Sequence, residues 1–241
     1  MITQQDQLAL FTLLGKEFKQ NITCYAFGGT AMMFYGYKDE TKDIDLLFEN
    51  EEERKEFIRV LTLFGYTERS AINIYIPEKL RDPHRPFMYQ KDDSRFDLFS
   101  KKIFKTVLSS KMQEDLFAVH EFKGKHTLQL KVLRKEHLVL LKAVTDRVTD
   151  FDDIKKIISL EKNFDWQYFL DEVSWQFNHG NTWALLDVEK MMQELKKYTF
   201  IQEKYFKQLY GLDKKKKKSF VKKEKPSFQQ KTSLQNSKQK A

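Results

Sequence analysis

The segment Asp43-Ile44-Asp45-Leu46 carries two carboxylates separated by one apolar residue. In a β-strand residues two apart project from the same face, so Asp43 and Asp45 stand side by side while Ile44 and Leu46 enter the core. Two such charges a few ångströms apart repel each other unless a cation lies between them. Hard oxygen donors favour Mg2+ or Mn2+ in that place. Upstream, Phe27-Gly28-Gly29-Thr30-Ala31 supplies a complementary group. Glycine lets backbone N–H groups approach a phosphate closely, the helix that follows begins with an electropositive end, and Thr30 adds a hydroxyl donor. A carboxylate pair for a metal beside a glycine turn for phosphate is the chemistry a nucleoside triphosphate requires. Each half alone is ambiguous, since Asp-x-Asp also serves as a solvated turn or a helix cap and Gly-Gly as any tight turn.

A third acid lies farther along, in Arg95-Phe96-Asp97-Leu98-Phe99. Its apolar neighbours place Asp97 in an otherwise buried strand, where a carboxylate is unfavourable unless it is paired or metal-bound. A salt bridge to Arg95 or to a lysine is the alternative to a metal.

The elements that must hold these residues follow from periodicity. Leu8, Leu10, Phe11, Leu14 and Phe18 repeat at three and four, giving an amphipathic helix over residues 8–18. Ile22 to Phe27 is a short buried strand that stops at the glycines, and Thr30 to Tyr35 a short helix closed by Gly36. Asp43 to Phe48 is a second strand, followed by a helix from Glu51 to Phe64 with acids in its first turn, where they complement the helix dipole. Strands are expected at Tyr66–Arg69, Ile72–Ile76, Phe87–Gln90 and Arg95–Phe99, with a proline-containing loop between Ile76 and Phe87. A short helix then precedes a hairpin of Phe117–Phe122 and Thr127–Val132 joined through Lys123-Gly124-Lys125. From Lys135 the period is helical, with Asp165 and Asn181 as N-caps of the third and fourth helices of this half.

The charge is unevenly distributed. Between Leu212 and Ala241 eleven lysines face only Asp213 and Glu224, so this tail carries a surplus of nine and the rest of the +8 chain sums to −1. A near-neutral body does not resemble a domain whose whole face tracks a phosphate backbone, whereas a flexible lysine tail adds nonspecific, salt-dependent affinity for RNA. The single cysteine, Cys24, forms no intrachain disulfide, and the five histidines lack ligand spacing, which excludes zinc chemistry and fits a reducing cytoplasm. The N-terminus does not read as a secretory signal, and no apolar run approaches the ~20 residues of a membrane span.

Taken together, the Gly28-Gly29 turn, the Asp43-x-Asp45 strand and the later Asp97 resemble the nucleotidyltransferase superfamily. The pattern is most similar to minimal AbiEii-toxin-like members, which also show Thr41-Lys42 before the strand and, later, Leu141-Lys142-Ala143, Asp146-Arg147, Asp150 and Asp153. Asp39 and Glu40 depart from it where relatives carry an arginine, with Lys38 as the available substitute. The expected fold is α+β: a mixed, twisted, nucleotidyltransferase-like sheet with flanking helices over residues 1–133 and a helical lobe over 134–211, with a site in the groove between the lobes, while the lysine-rich composition of 212–241 predicts a disordered tail. The resemblance implies that Asp43 and Asp45 bind magnesium, that Asp97 completes the metal site and helps activate a hydroxyl nucleophile, and that Lys142 contacts nucleotide phosphate. Arg147 and Asp150 would be further nucleotide contacts. Without the resemblance, Asp150, Asp152 and Asp153 read as acids at a helix N-terminus and Lys142 and Arg147 as a solvated helix face. The implied activity moves a nucleoside monophosphate from a triphosphate to a hydroxyl of RNA, with tRNA favoured, or of a protein. A toxin with a cognate antitoxin, or a phage-defence component, would be its setting. A catalytically silent nucleotide- or protein-binding relative and an antibiotic-type enzyme acting on a small hydroxylated molecule are the other two readings.

Overall fold

The computed structural model describes residues 1–70, 81, 84–145, 148–182 and 184–212. The strand expected at Ile72–Ile76, part of the proline-containing loop, Asp146-Arg147 and all of the lysine-rich tail beyond Leu212 lie outside the described residues. Met1–Ile201 form one compact unit. A second begins at Gln202, and in it residues 203–212 are helical. No helix among the described residues is long and apolar enough to cross a membrane.

The first unit is an α+β arrangement built on a mixed sheet. Its strands are β1 (Ile2–Thr3), β2 (Ile22–Ala26), β3 (Glu40–Thr41), β4 (Asp43–Phe48), β5 (Thr67–Glu68), β6 (Phe87–Lys91), β7 (Ser94–Ser100), β8 (Lys102–Ile103), β9 (Thr106–Val107), β10 (Leu116–Lys123) and β11 (Thr127–Leu133). The main sheet runs in the order β10-β11-β2-β4-β7-β6-β5, with β8 and β9 attached beside β7. Pairing is parallel between β11 and β2 and between β4 and β7, and antiparallel elsewhere in that sheet. β1 and β3 form a separate two-stranded ladder that the sequence did not foreshadow.

The helices are α1 (Gln4–Gly15), α2 (Gly28–Phe34), α3 (Glu51–Leu63), α4 (Ser110–Glu114), α5 (Lys135–Ala143), α6 (Val148–Leu160), α7 (Trp166–Asn178) and α8 (Ala184–Leu195). Alternation along β4 and β7 sends Ile44, Leu46, Phe48, Phe96 and Leu98 to one face, all fully buried. α1 and α3 cover that face through an aromatic cluster: Phe11 and Phe57 both meet Phe96, and Phe57 also meets Phe48. The opposite face carries Asp43, Asp45, Arg95 and Asp97.

α1 begins four residues earlier than its apolar stripe indicates. Thr3 accepts from the Asp6 N–H at 3.2 Å while the Asp6 carboxylate accepts from the Thr3 N–H at 2.9 Å, a reciprocal cap that fixes the start. The helix also ends at Gly15, so Phe18 reaches the Phe57 ring from beyond its end, with the centroids 5.6 Å apart. Asp165 caps α7 as expected, accepting from the Tyr168 N–H at 2.9 Å.

In the helical half, α5 buries His137 completely. Its Nε2 lies 3.1 Å from the Tyr168 hydroxyl, which donates to Asp115, and its Nδ1 has no hydrogen-bond partner. Burial, assisted by the nearby cations Lys111 and Arg134 and opposed by Asp115, pushes this imidazole from 6.5 down to about 3. Between those values the unfolded chain binds a proton that the native chain refuses, so stability falls as pH drops from 6.5 towards about 3. Denaturant melts at pH 7, 5 and 4 are expected to show this decline, and His137→Gln to make it shallower. An unchanged pH slope in the variant would remove His137 as its cause.

Candidate active site

β4 and β7 are parallel neighbours in a register that sets Asp43 opposite Arg95 and Asp45 opposite Asp97. Adjacent strands lie about 4.8 Å apart, and paired residues share a face. The three acids and one guanidinium therefore form a two-by-two block on the sheet face that α1 and α3 leave uncovered. Asp97 is the most enclosed, with its side chain 4% exposed against 31% for Asp43. The cation that partly offsets them is Arg95. Its Nε donates to Asp97 Oδ1 at 2.9 Å and its Nη2 to Asp97 Oδ2 at 3.3 Å, while Nη2 also pairs with Asp43 Oδ2. The fork of the guanidinium matches the carboxylate plane, which makes this a strong, oriented pair.

Among the described residues, no three His, Cys, Asp or Glu side chains converge as a ready ligand set for a metal ion. At this site Asp43 and Asp97 converge instead on a cation the chain supplies itself. The donor chemistry nevertheless fits a divalent ion of the magnesium type: three hard carboxylates at neighbouring ladder positions on one face. Arg95 is the group that would have to yield.

The glycines have a steric reason of their own. α2 starts at Gly28 rather than at Thr30, and Gly28 sits at φ +56°. A Cβ there would collide with the Asp45 carboxylate, and one on Gly29 with the Thr41 hydroxyl oxygen. Thr30 is fully buried, and its hydroxyl accepts from the Asp45 N–H at 2.8 Å. Gly28 and Thr30 thus grip Asp45 from both side chain and backbone. Thr41 is held in turn by the β1–β3 ladder, in which it pairs with Ile2. Gly28→Ala is expected to destabilise by about 1–3 kcal/mol through backbone strain and to push the Asp45 side chain aside. Gly36→Ala is the control, because Gly36 has φ +74° but open space around it. Equal losses for the two in a denaturant melt would mean that the Asp45 contact contributes nothing.

Lys142, on α5, is 7% exposed and donates to Asp150 Oδ1 at 3.0 Å and to Asp153 Oδ2 at 2.6 Å, both on α6. Asp153 also receives Lys38 at 2.8 Å, and Asp150 receives the Thr145 hydroxyl at 2.5 Å. Lys142 is therefore part of a buried ion network, and the alternative of a solvated helix face does not hold for it. The network ties α5 and α6 to the segment leading from α2 into β4, through Lys38. A contact between Lys142 and a phosphate would require it to leave two carboxylates. Arg147 lies outside the described residues.

In the sequence alone Arg95 stands only as a salt-bridge partner for Asp97, the alternative to a metal. Its placement two residues before Asp97, on the same face of one strand, was the available signal. That Asp43 also reaches it depends on the β4–β7 register, which no local pattern reveals.

No family model matches the sequence, and no curated protein matches it. Among solved structures, the chain is similar to the crystal structure of ANT(2")-Ia in complex with adenylyl-2"-tobramycin, at 13% identity and a TM-score of 0.44, over 73% of this chain and 99% of that one.

Proposed function

We propose that this chain is a metal-dependent nucleotidyltransferase that moves a nucleoside monophosphate from a nucleoside triphosphate to a hydroxyl of RNA, with tRNA as the favoured acceptor and growth inhibition as the outcome. The observation that carries this reading is the carboxylate block, in which Asp45 faces Asp97 across a parallel ladder and rests against Gly28. Asp43, Asp45 and Asp97 would hold Mg2+ or Mn2+, which when bound neutralises triphosphate charge and makes the acceptor hydroxyl a better nucleophile. Asp97, the most enclosed acid, would take the proton of that hydroxyl on a carboxylate oxygen. Gly28 and Gly29 make room for the Asp45 carboxylate and the Thr41 hydroxyl, and their backbone N–H groups would be the donors offered to phosphate, while Thr30 and Thr41 keep the turn and the acids in one geometry. Lys142, Asp150 and Lys38 would anchor the helical half against the strand that bears Asp43. The lysine-rich tail would add nonspecific affinity for the acceptor RNA.

A competing reading, a catalytically silent nucleotide-binding relative, is favoured by the way Arg95 already satisfies Asp43 and Asp97. Incubating the protein with magnesium, each labelled triphosphate in turn and total RNA separates the two. Label on RNA is the expected result, and label on a small molecule would redirect the acceptor. Bound but untransferred triphosphate would favour the silent relative.

A further inference from the structure

We infer that Arg95 is a built-in counter-cation that competes with the divalent ion for Asp43 and Asp97, and so sets the metal concentration at which the site loads. This inference rests on the metal-dependent reading above. A guanidinium remains protonated at any physiological pH, so Arg95 cannot release the acids by losing its charge. Only a rival cation can displace it. The two cations exclude each other, because both need the same carboxylate oxygens and repel at contact distance.

The geometry supplies both ends of the exchange. Asp97 is 4% exposed and would be unfavourable as an unpaired charge, so the metal-free chain needs a partner for it. Arg95 fills that role from within the same strand, two residues away, by a fork contact that requires no rearrangement of the backbone. At 18% exposure its own side chain is more open to solvent than the acid it holds. Asp43, at 31% exposure, is the more open of the two acids and the one an incoming ion would reach first. The metal-free site is thereby kept folded with part of its negative charge offset, and divalent-ion binding is weaker than the three carboxylates alone would give.

Mn2+ affinity of the full chain, measured by calorimetry and electron spin resonance, tests this with Arg95→Gln and Arg95→Lys. Arg95→Gln is expected to bind Mn2+ at least about tenfold more tightly than the wild type, the equivalent of removing one charge-assisted hydrogen bond from the competitor. Arg95→Lys, which keeps the charge but not the fork, should fall between them. The metal-free melting temperature of Arg95→Gln should drop, and saturating Mn2+ should raise it by more than it raises that of the wild type. Should Arg95→Gln fail to fold, the wild type decides: its Arg95 Nε–H resonance, assigned by its absence in Arg95→Lys, should move to the solvent-exposed position on Mg2+ addition. Mn2+ affinity that is equal or weaker in Arg95→Gln, or an Nε–H signal unmoved at saturating Mg2+, overturns the inference alone. Absence of Mn2+ binding in every variant, with or without triphosphate, overturns the metal-dependent reading as well.

Discussion

Asp45→Asn is expected to lower nucleotide transfer by roughly a thousandfold or more while leaving the chain folded. The substitution preserves the shape that packs against Gly28 and the backbone N–H that donates to Thr30, so neither contact gives a reason to unfold. What it removes is a charge at the centre of the carboxylate block, opposite Asp97. Losing one metal-holding carboxylate forfeits several kcal/mol of transition-state stabilisation. Stability of the metal-free chain should stay level or rise slightly, since one of three neighbouring negative charges is gone. Glu68→Gln, at an exposed position on β5, serves as the control and should leave transfer unchanged. Single-turnover assays beside thermal melts make the distinction. An unfolded Asp45→Asn would mark a structural aspartate, and transfer at the wild-type rate would remove Asp45 from the mechanism.

The second large effect is on stability. Lys142→Met is expected to destabilise by up to about 3 kcal/mol, because it takes from Asp150 and Asp153 the buried cation they share. Lys38 still reaches Asp153 and Thr145 still donates to Asp150, so the loss should be incomplete. Adding Asp150→Asn should recover part of it, since the pair then disappears together and no lone buried charge is left. Denaturant melts of the two single variants and the double variant give the coupling directly. If instead Lys142→Met keeps its stability and loses transfer, Lys142 is a substrate contact and the network is secondary.

Periodicity made the strands of the site legible, because Asp43 and Asp45 alternate with Ile44 and Leu46, and Asp97 sits among Phe96, Leu98 and Phe99. It also located the hairpin of β10 and β11 and the succession of helices after Lys135. The pairing of β4 with β7 was not legible. A parallel partner more than forty residues away leaves no local trace, and the register that sets Asp43 against Arg95 exists only in the assembled sheet. The start of α1 was missed because the apolar stripe begins at Leu8, whereas the cap at Thr3 decides where the helix begins. For Lys142 the alternatives were a phosphate contact, from the resemblance, and a solvated helix face, since charged residues are usually exposed; neither includes an ion pair with the next helix. Its burial follows from two aspartates on the next helix, Asp150 and Asp153, whose alternatives were a nucleotide contact for Asp150 and ordinary acids of a first turn.

The order β10-β11-β2-β4 bears on how this chain can be made and cut. Strand β2 shares only the pairs Tyr25–Leu47 and Ala26–Leu46 with β4, but five consecutive pairs with β11. While the chain emerges from a ribosome, β2 therefore waits for residues 127–133 with one side unpaired, exposing a strand whose Ile22, Cys24 and Ala26 are fully buried at the end. Such an edge is a template for association with other chains. A fragment stopped at Ser100 would contain every residue of the carboxylate block and still lack β11, the strand that pairs along β2.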